Sequence, residues 1–208
     1  MHLTGINHLA FITNDMVMTI RFYRDLLGME LVAGIGHPGY RHYFFRCGNT
    51  QVAFFEYAGA SPMERKDHGS PTTLPLGFDH VSFTIGSRAD LFALKDKVEA
   101  AGFEVSDAVD HGIIWSIYFH DPNNIPLEVS WDMMELVKTP AMDEVDPLEI
   151  VAEGAGPQPG IWPDVTNPTP PERMTAHGGN GHSMRETFLA QGLATETDEW
   201  KAIKAAGD

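Results

Sequence analysis

The sequence is poor in cysteine, in cations and in long apolar runs, and each shortage excludes a class of protein. Cys47 is alone among 208 residues, so no intramolecular disulfide framework exists, and the chain reads as intracellular or indifferent to redox state. The 14 Lys and Arg face 29 Asp and Glu, a formal charge of −15. Nucleic acid and anionic membrane are therefore not expected partners, because both are bound by Lys and Arg that neutralise their charge. No stretch approaches the roughly 18 apolar residues of a membrane span, and Met1-His2-Leu3-Thr4-Gly5 has neither a basic n-region nor an apolar h-region. A soluble cytoplasmic protein is the expectation. A Gly-rich phosphate loop, a Gly-x-Ser-x-Gly elbow and a Cys-x-x-Cys pair are also missing, which removes the commonest signatures of nucleotide, acyl-transfer and thiol chemistry.

Apolar residues make up 43% of the chain and aromatics 10%, enough for a globular core. The chain also repeats itself. Ile6-Asn7-His8-Leu9-Ala10-Phe11 returns 72 residues later as Phe78-Asp79-His80-Val81-Ser82-Phe83, and similar elements follow each copy. Residues 3–13 read as a strand, and Asn14-Asp15 caps a helix with Met16, Ile20, Tyr23 and Leu27 on one face. After Gly28, residues 29–33 read as a strand and 34–39 as a turn-rich loop, and 40–47 and 50–57 form a hairpin about Gly48-Asn49.

Residues 59–76, rich in Gly, Ser and Pro, form a linker. The pattern then returns as a strand over 78–85, a Ser87-capped helix carrying Leu91, Leu94, Val98 and Ala101, and strands over 103–105, 113–119 and 126–131. The expected fold class is α+β, with paired βαβββ modules over about 1–58 and 77–132 in one domain, 1–132. Residues 133–208, dense in Pro and Gly, form a largely irregular extension with short helices expected over 183–191 and 196–206. It is read as lying on the domain, or as covering the pocket or a partner subunit.

A doubled fold with one histidine at the same strand position in each half can bring His8 and His80 to a shared axis. Taken singly, a strand histidine is more often a core or rim residue than a ligand; the repetition reverses that balance. Glu128, in the apolar run Pro126-Leu127-Glu128-Val129, is a carboxylate that is costly to leave unpaired, and few basic residues lie in the expected strands. Two imidazoles and one carboxylate make a facial triad with open positions, suited to Fe(II) or another divalent ion.

Aligning the turns Gly48-Asn49 and Pro122-Asn123 sets Phe54 opposite Glu128 and Phe44 opposite Tyr118. Glu56 is then a candidate fourth ligand, or else a rim carboxylate. Strand alternation nominates Ser116, Tyr118 and His120, with His42 and Phe44 on the counterpart strand. Tyr118 is the best placed to orient a substrate oxygen, and His111, on the loop leading into that strand, to move a proton. Each also has a plainer reading, as a half-buried aromatic and a surface histidine. His37, His68, His120, His177 and His182 read as solvated.

These residues resemble the vicinal oxygen chelate superfamily, which contains glyoxalase I, fosfomycin- and bleomycin-resistance proteins and type I extradiol dioxygenases. The matching pieces are the two histidine strands, Phe22-Tyr23-Arg24-Asp25-Leu26-Leu27-Gly28-Met29-Glu30-Leu31, and the run from Ser116 through Tyr118-Phe119-His120-Asp121-Pro122-Asn123 to Glu128. The resemblance covers residues 1 to about 132. It implies a U-shaped, incompletely closed mixed β-barrel around a divalent metal, assembled as a homodimer, with His8, His80 and Glu128 as ligands. Glyoxalase I adds a glutamate on the last strand of the first module, where this chain has Phe54, with Glu56 nearby.

Extradiol dioxygenases use two His and one Glu on Fe(II), with a tyrosine ten residues before that Glu, as Tyr118 stands here, and an upstream histidine to which His111 corresponds. The expected function is thus an Fe(II) extradiol-type ring-cleaving dioxygenase acting on a catechol-like aromatic with vicinal oxygens, using dioxygen; Mn, Ni and Zn are also accepted by these donors. The alternatives are a metal-dependent lyase, isomerase or epimerase, and a non-catalytic protein that binds a small molecule between walls such as Phe44, Phe54, Trp115 and Tyr118.

Overall fold

The structure, a computed structural model, describes residues 3–73, 77–179 and 181–205. Residues 74–76 of the linker, and residue 206, where the last helix is expected to end, lie outside them. The chain divides into two compact units, 1–135 and 136–208. Among the described residues no helix is long and apolar enough to cross a membrane.

The first unit holds two four-stranded mixed sheets built alike. One is ordered β1-β4-β3-β2 from His8–Thr13, Thr50–Glu56, Tyr40–Cys47 and Glu30–His37; the other is β5-β8-β7-β6 from Val81–Thr84, Pro126–Asp132, Ile114–His120 and Val109–Asp110. In each sheet the histidine-bearing first strand, or its immediate continuation, runs parallel to the last. The other pairings are antiparallel. Helix α1 (Met16–Ile20), capped by the Asp15 carboxylate through Met18 N–H at 2.9 Å, widens into a π-helical segment over Arg21–Leu26. Helix α2 (Arg88–Ala100) starts at Ser87, whose hydroxyl accepts from Asp90 N–H at 3.1 Å.

Two elements differ from expectation. Strand β2 runs on to His37, because Pro38-Gly39 suffices for the turn (Gly39 φ 82°). Gly34 stays in the ladder, since its missing Cβ would come within 2.8 Å of the Tyr43 ring. In the second module residues 103–105 form no strand. Val105 makes a single bridge to Phe119, and the edge strand is the short Val109–Asp110 pair.

The helix-facing sides of both sheets merge into one core. Phe22 stacks edge-on against Phe103 at 4.9 Å and tilts against Phe119 at 6.3 Å, while Tyr23 packs on Phe54 at 4.7 Å. Val52, Phe45, Ile117, Leu127 and Leu91 complete it with no exposed surface. Polar bonds tie the modules within this core. The Tyr23 hydroxyl donates to Asp121 Oδ2 at 3.1 Å, and the Thr13 hydroxyl to Asn123 Oδ1 at 2.9 Å. Because side chains alternate along a strand, the opposite faces of both sheets turn away from this shared core.

In the second unit, short 3-10 turns at Glu149–Glu153 and Pro171–Arg173 precede α3 (Met184–Ala190) and α4 (Asp198–Ala205). Arg185 lies 5.1 Å over the Trp200 ring, a cation–π contact that holds the two helices together.

Candidate metal centre

The outward face of the second sheet carries a continuous polar cluster. His80, just before β5, places Nε2 2.8 Å from Glu128 Oε2 on β8. Tyr118, directly across the ladder from Glu128, donates its hydroxyl to Oε1 at 3.0 Å, and His111 Nε2 lies 2.8 Å from the same hydroxyl. The phenol has one proton; given to Glu128, it leaves the oxygen as acceptor, so His111 is the donor. The Ser116 and Ser130 hydroxyls, 3.0 Å apart, neighbour the same carboxylate.

Glu128 is only 4% exposed. Burial alone would raise its pKa, but hydrogen bonds from Ser116, Tyr118 and Ser130 together with the nearby His80 outweigh it and hold the carboxyl below its usual range. Tyr118 is pushed up to about 12, by burial first and then by its bond to Glu128, so at neutral pH it is a hydrogen-bond donor and not a phenolate.

Behind His80, Asp79 Oδ1 meets Nδ1 at 2.5 Å and accepts from Gly69 N–H at 3.1 Å, while Lys66 ion-pairs with Oδ2. Lys66 first, then His80 and the Gly69 amide, keep the Asp79 carboxyl well below the ordinary carboxylate range. In front, His68 from the linker tilts against Tyr118 at 4.7 Å and lies 5.7 Å from His80 and 5.1 Å from His120. A cavity of about 470 Å³ opens beside Tyr118, walled in part by Arg65, Lys66, His68 and His120. Its size suits a small organic ligand. His68 and His120, read from sequence as solvated, are half-buried, and among the described residues the Nε2 atom of each is buried without a hydrogen-bond partner.

His8 is not part of this cluster. It lies on the outward face of the first sheet, hydrogen-bonded through Nδ1 to Asn7 Oδ1 at 2.8 Å and edge-on to Phe44 at 5.8 Å. Among the described residues no three His, Cys, Asp or Glu side chains gather as a metal site. One chain thus brings together His80, Glu128, Tyr118 and His111, and places His8 elsewhere.

The ladders also correct the sequence alignment of the modules. Ala53 pairs with Ala10 and Phe44, as Glu128 pairs with Ser82 and Tyr118. Ala53, not Phe54, is therefore the counterpart of Glu128. The turns differ in length, Gly48-Asn49 against residues 121–125, and a slip of one residue reverses the face. Phe54 is a fully buried core residue and no cleft wall. Glu56 shares its side of the strand, accepts from Met16 N–H at 2.9 Å and pairs with Arg41; it serves the helix start and lies off the His8 face. Phe55 and His42 stand where the second module has Ser130 and Ser116, and stack at 3.6 Å. The first module's outward face thus carries two histidines, His8 and His42, among aromatic and apolar groups, with alanine where the second module has Glu128.

The donor set fits a divalent ion. With Nδ1–H engaged by Asp79, Nε2 is the nitrogen left for a metal, which would take the place of the proton that joins it to Glu128. Residues 5–129 match the family described as the Glyoxalase/Bleomycin resistance protein/Dioxygenase superfamily. The chain belongs to this superfamily.

Within it, biphenyl-2,3-diol 1,2-dioxygenase 3 of Rhodococcus globerulus is 27% identical over 125 residues, 60% of this chain; the match spans 62% of that relative's length. The fold is shared with a glyoxylase/bleomycin resistance protein/dioxygenase domain from Frankia sp. EAN1pec, at TM-score 0.53 and 22% identity over 63% of this chain and 99% of that one. It is shared too with the fosfomycin resistance protein FosX of Listeria monocytogenes, at TM-score 0.51 and 20% identity over 64% and 97%. A point mutant of FosX, at TM-score 0.50 and 21% identity over 65% and 96%, is complexed with Mn(II) and 1S,2S-dihydroxypropylphosphonic acid.

Proposed function

We propose that this protein is a metal-dependent, extradiol-type ring-cleaving dioxygenase acting on a catechol-like aromatic, its site completed between two copies of the chain. The observation that carries the reading is the hydrogen-bonded series His111, Tyr118, Glu128, His80 on one outward sheet face. The 27% identity to a dioxygenase of an aromatic diol supports the reaction class.

His80 and Glu128 of one copy, with His8 of a second, would hold the ion, with Fe(II) favoured over Mn, Ni or Zn. When bound, the ion supplies a Lewis-acid centre for vicinal substrate oxygens and, as iron, the redox chemistry that dioxygen requires. Tyr118 orients a substrate oxygen with its hydroxyl. His111, behind the phenol, moves a proton through it. The partner's first-module face, with Phe44, Ala53 and Phe55, walls the ring and excludes water.

The two outward faces support closure by a second copy. Both are open, with Ile12 53% exposed on one and Ser82 and Thr84 exposed on the other. A twofold pairing of the first module of each copy with the second of the other covers all four faces and builds two identical sites.

The test is metal analysis of protein purified without chelator, followed by oxygen uptake across a series of catechols. The expected result is about one divalent ion per chain and a coloured ring-cleavage product formed with oxygen consumption. Iron-loaded protein that consumes no oxygen with any catechol, or that turns over a vicinal-oxygen substrate only under anaerobiosis, would overturn the proposal; the second outcome marks a metal-dependent lyase or isomerase.

A further inference from the structure

The linker between the modules is fastened to the back of His80. Asp79 precedes that histidine and bonds its Nδ1 at 2.5 Å. Two further anchors on the same carboxylate come from the linker, the Gly69 amide at 3.1 Å on Oδ1 and the Lys66 ammonium on Oδ2. The Lys66 side chain is only 21% exposed, more buried than its partner at 43%. In a chain with 14 cations against 29 anions, one of the few cations is drawn inward onto this carboxylate. His68, between the two anchors, lies across Tyr118.

We infer that Asp79 is a positioning residue for His80, and that the linker acts on the metal site through Lys66 and Gly69. The inference rests on the metal reading above. An imidazole with both nitrogens unengaged can rotate and exchange tautomers; a carboxylate on Nδ1 fixes the ring and leaves the Nε2 lone pair aimed at the Glu128 side. The two linker anchors occupy both Asp79 oxygens, so the carboxylate stays behind the ring and does not swing round to compete for the ion. Residues of the linker that touch no metal thereby set how tightly the site holds one.

The experiment compares Mn(II) binding by the full chain, using calorimetry, for wild type, Asp79→Asn and Lys66→Met. It adds the His80 Nδ1–H proton resonance of the Zn(II)-loaded protein. Asp79→Asn is expected to weaken Mn(II) binding by about 10- to 100-fold and to shift that resonance upfield, with the circular dichroism spectrum unchanged. Lys66→Met is expected to weaken it by a smaller factor, on the order of threefold to tenfold. Should Asp79→Asn not fold, Lys66→Met carries the comparison. Equal affinity in all three proteins with an unmoved resonance overturns this inference and leaves the metal reading standing. A wild type that binds neither ion overturns the metal reading, and this inference with it.

Discussion

If His8 and His80 act in the same site only across a dimer, two inactive variants will repair each other. His8→Ala removes an exposed side chain that touches a neighbouring asparagine and a phenylalanine edge, so its effect on stability is expected within about 0.5 kcal/mol. His80→Ala removes the donor beside Glu128. Each variant alone lacks one ligand in every site. In a mixed dimer, one site takes His8 from the His80→Ala copy and His80 with Glu128 from the His8→Ala copy, and is intact. The other site has neither histidine.

Random pairing of equal amounts makes about half the dimers mixed, with one intact site of two, so about one quarter of wild-type activity and tightly bound metal returns. The converse mixture is equally diagnostic. Wild type mixed with the double variant falls to about one quarter if sites are shared, because mixed dimers have both sites broken, and to about one half if each chain builds its own. The assay is co-expression followed by metal analysis and oxygen uptake. No recovery in the first mixture together with half activity in the second would refute the reasoning from faces.

Tyr118→Phe removes the hydroxyl that joins His111 to Glu128; the proposed ring cleavage is expected to slow on the order of 10²-fold or more while Mn(II) affinity changes by less than about threefold, measured by steady-state kinetics and calorimetry. The phenol's raised pKa has a signed consequence: its contribution to stability is complete below the ordinary value of 10.0 and is lost as pH rises through about 12. An ultraviolet titration of wild type minus Tyr118→Phe checks this by showing a tyrosine that ionises near about 12. Tyr23→Phe deletes a fully buried bond to Asp121, which keeps its bonds from the Asn123 and Ile125 amides at 2.8 Å; the expected cost is about 1.5–3 kcal/mol, read as a midpoint shift in urea unfolding.

Much of the cluster around Glu128 was legible along the chain because it is built on strands; His8 was legible only as a candidate, and the fold places it on the other sheet. His8 and His80 stand out by repetition, and Glu128 by being a carboxylate in an apolar run. Tyr118 sits across the ladder from Glu128, a relation that strand alternation and hairpin spacing carry. Asp79, Lys66 and His68 escaped such reading. Asp79 looks like an ordinary polar neighbour of a histidine, and the linker has no period from which to infer where Lys66 and His68 lie. Only the number of cations, small in a chain this acidic, hinted that a half-buried lysine would matter. Glu56 was misplaced for a different reason: the unequal turns hid a one-residue slip, and a slip of one exchanges the two faces of a strand.

By itself the sequence determined the doubled α+β architecture and the helix caps at Asp15 and Ser87, and it nominated the candidate donor side chains, since these depend on neighbours within a few residues or on a pattern repeated whole. Tertiary structure alone decided which sides of the two sheets meet. Phe22, Tyr23 and Phe54 from one module and Phe103, Phe119 and Leu127 from the other favour the merger of the helix-facing sides, because that union buries large aromatic and apolar side chains. With the core made there, both histidine faces turn outward.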